Sequence, residues 1–284
     1  MDSISAREQS VSGATERRTI NFRRPLSQGD IFNCSISAQN RTVTVREYEG
    51  STEKKMDEYL KKVEMTGTLK IKEVAPNGNA SKIEFTFDEF TGEINGKKIV
   101  PDWKGRILIA DLTVKPVCLF KFKDKGGQPE RDEVILLSLV FRPVSDITMA
   151  DVIGTGRKLA PGDSWTASKH PFLENFKRDG IILPPEKITG NVTLKARNVY
   201  KGIDCWEIEE QLTISDVSDF SYGFFVSILL PVDETKSTVK LLRKGVTKIE
   251  KSPGAEHMMT AGIKKILITN SDAMSAEMLP VKER

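Results

Sequence analysis

Met65-Thr66-Gly67-Thr68-Leu69-Lys70-Ile71-Lys72-Glu73-Val74-Ala75-Pro76-Asn77-Gly78-Asn79-Ala80-Ser81-Lys82-Ile83-Glu84-Phe85-Thr86-Phe87 reads as two strands joined by a tight turn. Leu69 and Ile71 alternate with Thr68, Lys70 and Lys72, and Ile83, Phe85 and Phe87 alternate with Lys82, Glu84 and Thr86. Period-two patterning places successive side chains on opposite faces, the mark of a half-buried strand. Pro76-Asn77-Gly78-Asn79 supplies residues suited to a tight reversal.

The same texture extends outward in both directions. Ile31–Ser37 and Arg41–Tyr48 alternate before the hairpin, and Ile107–Leu112 and Val114–Phe122 follow it. Later candidates are 189–199, 204–214, 220–230, 237–243, 246–251 and 263–270, linked by turns such as Tyr200-Lys201-Gly202 and Ser252-Pro253-Gly254. Short links between strands of this spacing predict an antiparallel meander rather than parallel crossover units. Two segments, Ser51–Lys62 and Glu130–Phe141, carry helical spacing and could equally extend strands.

The halves of the chain resemble each other. Leu26-Ser27-Gln28-Gly29-Asp30-Ile31-Phe32 answers to Leu159-Ala160-Pro161-Gly162-Asp163-Ser164-Trp165. Met65-Thr66-Gly67-Thr68-Leu69-Lys70 answers to Ile188-Thr189-Gly190-Asn191-Val192-Thr193-Leu194-Lys195 with one residue of slippage, and Gly78 to Gly202. The expected fold is mainly β: two tandem related antiparallel units, of sandwich or open-barrel type, with a few short helices. The divisions are a flexible lead-in (1–18), a first unit (19–143), a linker (144–158), a second unit (159–270) and a C-terminal tail (271–284). Phe32 and Trp165 are expected to be buried at equivalent strand starts.

Leu159-x-x-Gly162-Asp163-x-Trp165, preceded by Asp151-Val152-Ile153-Gly154 and accompanied by the Asn77-Gly78 turn, resembles an uncharacterised family of secreted or envelope proteins of planctomycete and verrucomicrobium type. The resemblance spans most of residues 20–250. It implies a duplicated all-β fold and an envelope location, whether periplasmic, outer-membrane associated or secreted. It carries no catalytic residues. Met1–Arg18 lacks the apolar stretch of a signal peptide, and Met1-Asp2 is compatible with a start placed where a targeting segment was removed.

Composition narrows the function classes. The formal charge is +3, from 43 basic and 40 acidic residues, and the basic pairs are scattered, so nucleic acid is not expected as a partner. Phe220–Val232, an apolar run interrupted by Ser and Gly, is too short for a spanning helix. Cys34, Cys118 and Cys205 are far apart in sequence and are read as buried small hydrophobes rather than as a zinc site.

No catalytic set, metal site or cofactor site emerges from the residues. Gly162-Asp163-Ser164 invites comparison with Gly-Asp-Ser esterases, but a nucleophilic serine needs a partnering base, and neither His170 nor His257 follows an Asp at the required spacing. The members of the adjacent acidic pairs Asp57-Glu58, Asp88-Glu89 and Glu209-Glu210 point to opposite faces of a strand and read as solvated charges.

Phe220, Tyr222, Phe224, Val226, Ile228 and Leu230 share one strand face. They form either a core strand or the lining of an apolar site for a lipid tail or a partner's hydrophobic strand. The expected function is a non-enzymatic envelope or surface binding or structural module with an unidentified envelope partner; the alternative is a carrier of a lipid or other apolar ligand. A carrier should show a closed apolar cavity, and an assembly module an exposed apolar patch or open sheet edge.

Overall fold

The computed structural model describes residues 17–24, 26–124, 127–178, 182–217, 219–251 and 262–281. The lead-in over 1–16, His257 and the turn at Ser252–Gly254 lie outside them.

The protein is mainly β and antiparallel. The first wing of its principal sheet comprises β2 (Ile31–Tyr48), β3 (Lys54–Val74), β4 (Ala80–Ile94), β5 (Lys97–Ile99), β6 (Ile107–Asp111) and β7 (Leu119–Phe122). The second comprises β9 (Ser164–Thr166), β10 (Ile188–Tyr200), β11 (Ile203–Val217), β12 (Phe220–Pro231), β13 (Lys240–Lys251) and β14 (Ile263–Pro280). The order is β7-β6-β4-β3-β2-β14-β13-β12-β11-β10-β9, with β5 on β4, and among the described residues the sheet does not close into a barrel. A separate two-stranded ribbon pairs β1 (Arg18–Thr19) with β8 (Lys158–Leu159).

The expected tandem units therefore take the form of one continuous sheet. β2 and β14 meet in its middle, in register from Phe32↔Pro280 to Tyr48↔Ile263 with one irregularity near Lys265. The tail expected from 271 is a correction: residues 271–280 complete this central strand. Its side chains are mostly half-buried without clean alternation, which hid the strand from the sequence. Arg18, placed with the flexible lead-in, pairs instead with Leu159.

One sheet face is buried. In β2 Phe32, Cys34, Ile36 and Ala38 point into the core while Ile31, Asn33, Ser35 and Ser37 are exposed. In β3 Val63, Met65, Leu69 and Ile71 do the same. Helix α1 (Arg131–Val140) covers the first wing with Leu136, Leu137 and Val140. It is a helix because Glu130 and Glu133 form reciprocal capping bonds at its start. Gly92 lets it approach, since a Cβ there would lie 2.2 Å from Leu136 Cδ1. Ser51–Lys62 mostly joins β3 instead, where its charges meet those of β2, as in Arg41 with Glu58 and Lys54 with Glu47.

The second wing is covered by Ile20 and Phe22 and by α2 (Met149–Ile153), within the expected linker. Helix α3 (His170–Arg178) brings Phe172 and Leu173 against a smaller cluster of Leu183, Ile188, Leu212 and Ile214.

The two Gly-Asp turns are alike bond for bond. Gly29 N donates to Ile71 O (2.9 Å) and Ile71 N to Asp30 O (2.9 Å); Gly162 N donates to Leu194 O (2.7 Å) and Leu194 N to Asp163 O (3.0 Å). Each Asp carboxylate accepts an amide three residues earlier, from Ser27 and Ala160. Both glycines have positive φ, +97° and +93°, which favours glycine. Ile71 and Leu194 thus correspond, which sets Gly67 against Gly190 without the expected slippage. Phe32 and Trp165 are both buried. This likeness belongs to the turns and their partner strands; duplication of whole units is not established by the sheet.

All three cysteines are free and buried, and burial pushes their thiols up to about 12 for Cys34 and about 11 for Cys118 and Cys205. Among the described residues no helix is long and apolar enough to cross a membrane.

Candidate functional site

The β12 stripe divides in two. Val226, Ile228 and Leu230 are buried in the core of the second wing, while Phe220, Tyr222 and Phe224 are half-buried toward the far end of the strand. Phe224 makes an edge contact with Phe172 of α3 (centroids 6.1 Å apart) and stacks with Tyr222 (6.1 Å).

Strand register extends this face sideways. Phe220 pairs with Ile249, which pairs with Ile268 of β14. The next level inward holds Tyr222, Thr247 and Asn270; the next, Phe224, Gly245 and Asp272; the next, Val226, Arg243 and Met274. Ile249 and Ile268 are half-buried and belong to none of the three core clusters. Among the described residues the helix-bearing face thus continues past the core clusters as a half-buried apolar surface at Ile249 and Ile268.

Between that surface and the core lies a polar centre. Four adjacent strands contribute Glu210, Tyr222, Arg243 and Asp272, and Arg142 enters just past the end of α1. Asp272 Oδ2 lies 3.5 Å from a terminal nitrogen of Arg243 and 3.9 Å from one of Arg142. Gly245 makes room for this carboxylate, for a Cβ there would sit 2.6 Å from Asp272 Oδ1. Glu210 is only 4 % exposed. Among the described residues no hydrogen-bond partner reaches its Oε1 or Arg243 Nε, both enclosed.

The electrostatics follow from burial and crowding. Burial pushes the Glu210 carboxyl up to about 7, because removing it from water penalises the ionised form. Burial first, then Asp272, pushes the Tyr222 phenol up to about 12, against the pull of Arg243 and Arg142; Glu210 adds to the rise. Arg142 is lowered by burial and then by the like charge of Arg243, although its side chain is 52 % exposed.

Of this group the sequence singled out Tyr222, as part of the apolar stripe, and Glu210, as one of a solvated acidic pair. That placement of Glu210 is corrected by the structure. The missed signal was an inward charge on a strand: Glu210 interrupts Trp206, Ile208, Leu212 and Ile214, and Arg243 follows Leu241 on the same face.

Other features of the sequence have structural partners. Ser164 Oγ lies 2.9 Å from Thr193 Oγ1, and the Asp163 carboxylate binds Ala160 N. Among the described residues no three His, Cys, Asp or Glu side chains gather where they could hold a metal ion. An open cleft of about 460 Å³ lies at the opposite end of β2 and β14, bordered by Gly29, Asp30, Lys236 and Pro280.

No protein-family model matches the chain, so none stands behind the planctomycete and verrucomicrobium resemblance. No curated protein matches it significantly. Among solved structures it is similar to a DUF1329 family protein from Desulfovibrio piger at 10% identity, with a TM-score of 0.15 over 86% of this chain and 85% of that one. It is also similar to Pseudomonas aeruginosa OpdQ (8% identity, TM-score 0.14, 88% and 98%) and to the P. putida toluene transporter TodX (6% identity, TM-score 0.15, 96% and 97%). At these TM-scores the likenesses carry no argument.

Proposed function

We propose that this protein is a non-catalytic binding module of the bacterial envelope that receives an apolar chain on the open end of its helix-bearing sheet face. The observation that supports this reading is the apolar pair Ile249 and Ile268, which continues sideways from Phe220. It lies on the face that elsewhere forms the core, yet among the described residues it belongs to none of the core clusters. Apolar side chains that remain partly wet across two adjacent strands gain free energy when a ligand covers them, by about 25 cal/mol per Å² of apolar surface removed from water. The envelope location rests on the sequence resemblance alone.

Titration with decyl maltoside below its micellar concentration, followed by calorimetry, tests the reading. Saturable binding is expected, and Ile249→Ser with Ile268→Ser should abolish it while leaving the circular dichroism spectrum intact. Absence of binding, or binding indifferent to both substitutions, overturns it.

A second reading, assembly through a sheet edge, has its own observation. β9 covers β10 only at Asn191–Thr193, so among the described residues the backbone of 195–200 borders an open edge. It predicts self-association that rises with protein concentration in light scattering; a monomer at all concentrations argues against pairing of like edges.

A further inference from the structure

We propose that the polar centre formed by Arg142 and Arg243 seats the acidic head of a single-chain amphiphile, a carboxylate or phosphate, whose tail lies on the apolar row beyond. This deepens the binding reading above and rests on it. Two guanidinium groups share one carboxylate, Asp272, at 3.5 and 3.9 Å, both longer than good charge-assisted hydrogen bonds. One carboxylate cannot satisfy two planar forks that each match an acid head bidentately. Two enclosed atoms, Arg243 Nε and Glu210 Oε1, meet no hydrogen-bond partner among the described residues, and such groups are costly to leave unpaired.

Charge points the same way. Two arginines face one aspartate, Tyr222 is a neutral phenol, and Glu210 retains its proton below neutral pH. The centre then carries a net positive charge, with Glu210 able to donate rather than repel. Geometry supplies the path for the tail. Gly245 presents no side chain beside Asp272, and the four residue steps from Gly245 to Ile249 span roughly 13 Å of strand. A ten-carbon chain fits that reach.

The test compares decanoate, decyl phosphate, decyl maltoside and decyltrimethylammonium by calorimetry at pH 6, below micellar concentrations, with inorganic phosphate alone as a further probe. Acid heads should bind at least about tenfold more tightly than maltoside, as expected for hydrogen bonds to charged groups, and the ammonium head should bind most weakly. Arg142→Gln, at a half-exposed position outside the core clusters, should erase most of the acid advantage over maltoside. Arg243→Gln should do the same if it folds. Equal affinity for all heads, or an acid advantage that survives Arg142→Gln, overturns the head-group assignment while leaving the binding reading intact. Binding of none of the decyl probes overturns the binding reading itself. Inorganic phosphate binding as tightly as decyl phosphate would assign the centre to a free anion and also overturn the proposal.

Discussion

Replacing Glu210 by Gln should make the protein more stable, and only above acidic pH. Glu210 ionises at about 7 in the folded protein, against an ordinary 4.5, because burial disfavours its charged form. Between these values the unfolded chain has released the proton that the folded protein still holds. Stability therefore falls as pH rises through this window, is highest below it and is constant again above it. At about 1.4 kcal/mol per pH unit, the interval is worth about 3 kcal/mol. The glutamine variant lacks this loss. Urea unfolding followed by tryptophan fluorescence, run for both proteins from pH 4.5 to 8, isolates the effect, because the other titrating groups cancel in the difference. The variant should gain about 3 kcal/mol on the parent across that range. A difference that stays flat with pH would mean that Glu210 is solvated, and the description of the polar centre would fall.

The same proton should govern head-group choice. Decanoate affinity should fall between pH 6 and 8 as ionised Glu210 joins Asp272 against the two arginines, and Glu210→Gln should flatten that profile; a fall of equal size in the variant would contradict it. Trp165 is buried, packs on Phe22 and donates to Ile153 O at 2.9 Å, so Trp165→Ala should cost about 3–5 kcal/mol in thermal or urea unfolding, whereas Ser164→Ala next to it should be nearly neutral. Gly67→Ala should destabilise by about 1–3 kcal/mol or more, since its Cβ would fall 2.1 Å from Thr86 O, a backbone atom that cannot step aside. Gly29→Ala and Gly162→Ala, with φ of +97° and +93° in matching turns, should cost similar amounts, about 1–2 kcal/mol each; a neutral result at either would separate the two turns.

The fold class was legible because most strands alternate cleanly. Ile83, Phe85 and Phe87 face inward and are buried, and the turn at Asn77-Gly78 joins the strands as read. The matching Gly-Asp turns were legible because positive φ at glycine and a local aspartate bond are encoded by two adjacent residues. What failed were segments whose environment is decided far away in sequence. Val246–Lys251 and Ser237–Arg243 read as two strands, yet β13 runs unbroken over Lys240–Lys251, since Lys244 and Gly245 are held by β12 and β14 on either side. Residues 271–280 carry Asp, Ser and Ala where a strand would show alternation, and pairing with β2 overrides that weak pattern. The polar centre was illegible for the same reason. Its five residues span Arg142 to Asp272, and only the register of four strands brings them to one face.

Covalent footprinting shows where on the sheet an amphiphile tail rests. Decanoate bearing a terminal diazirine, photolysed on the protein at pH 6 and mapped by peptide sequencing, should label the half-buried apolar surface of β13 and β14 around Ile249 and Ile268, and excess unmodified decanoate should suppress the label. Labelling confined to the opposite face of the sheet, or to the cleft near Gly29 and Pro280, would contradict the account.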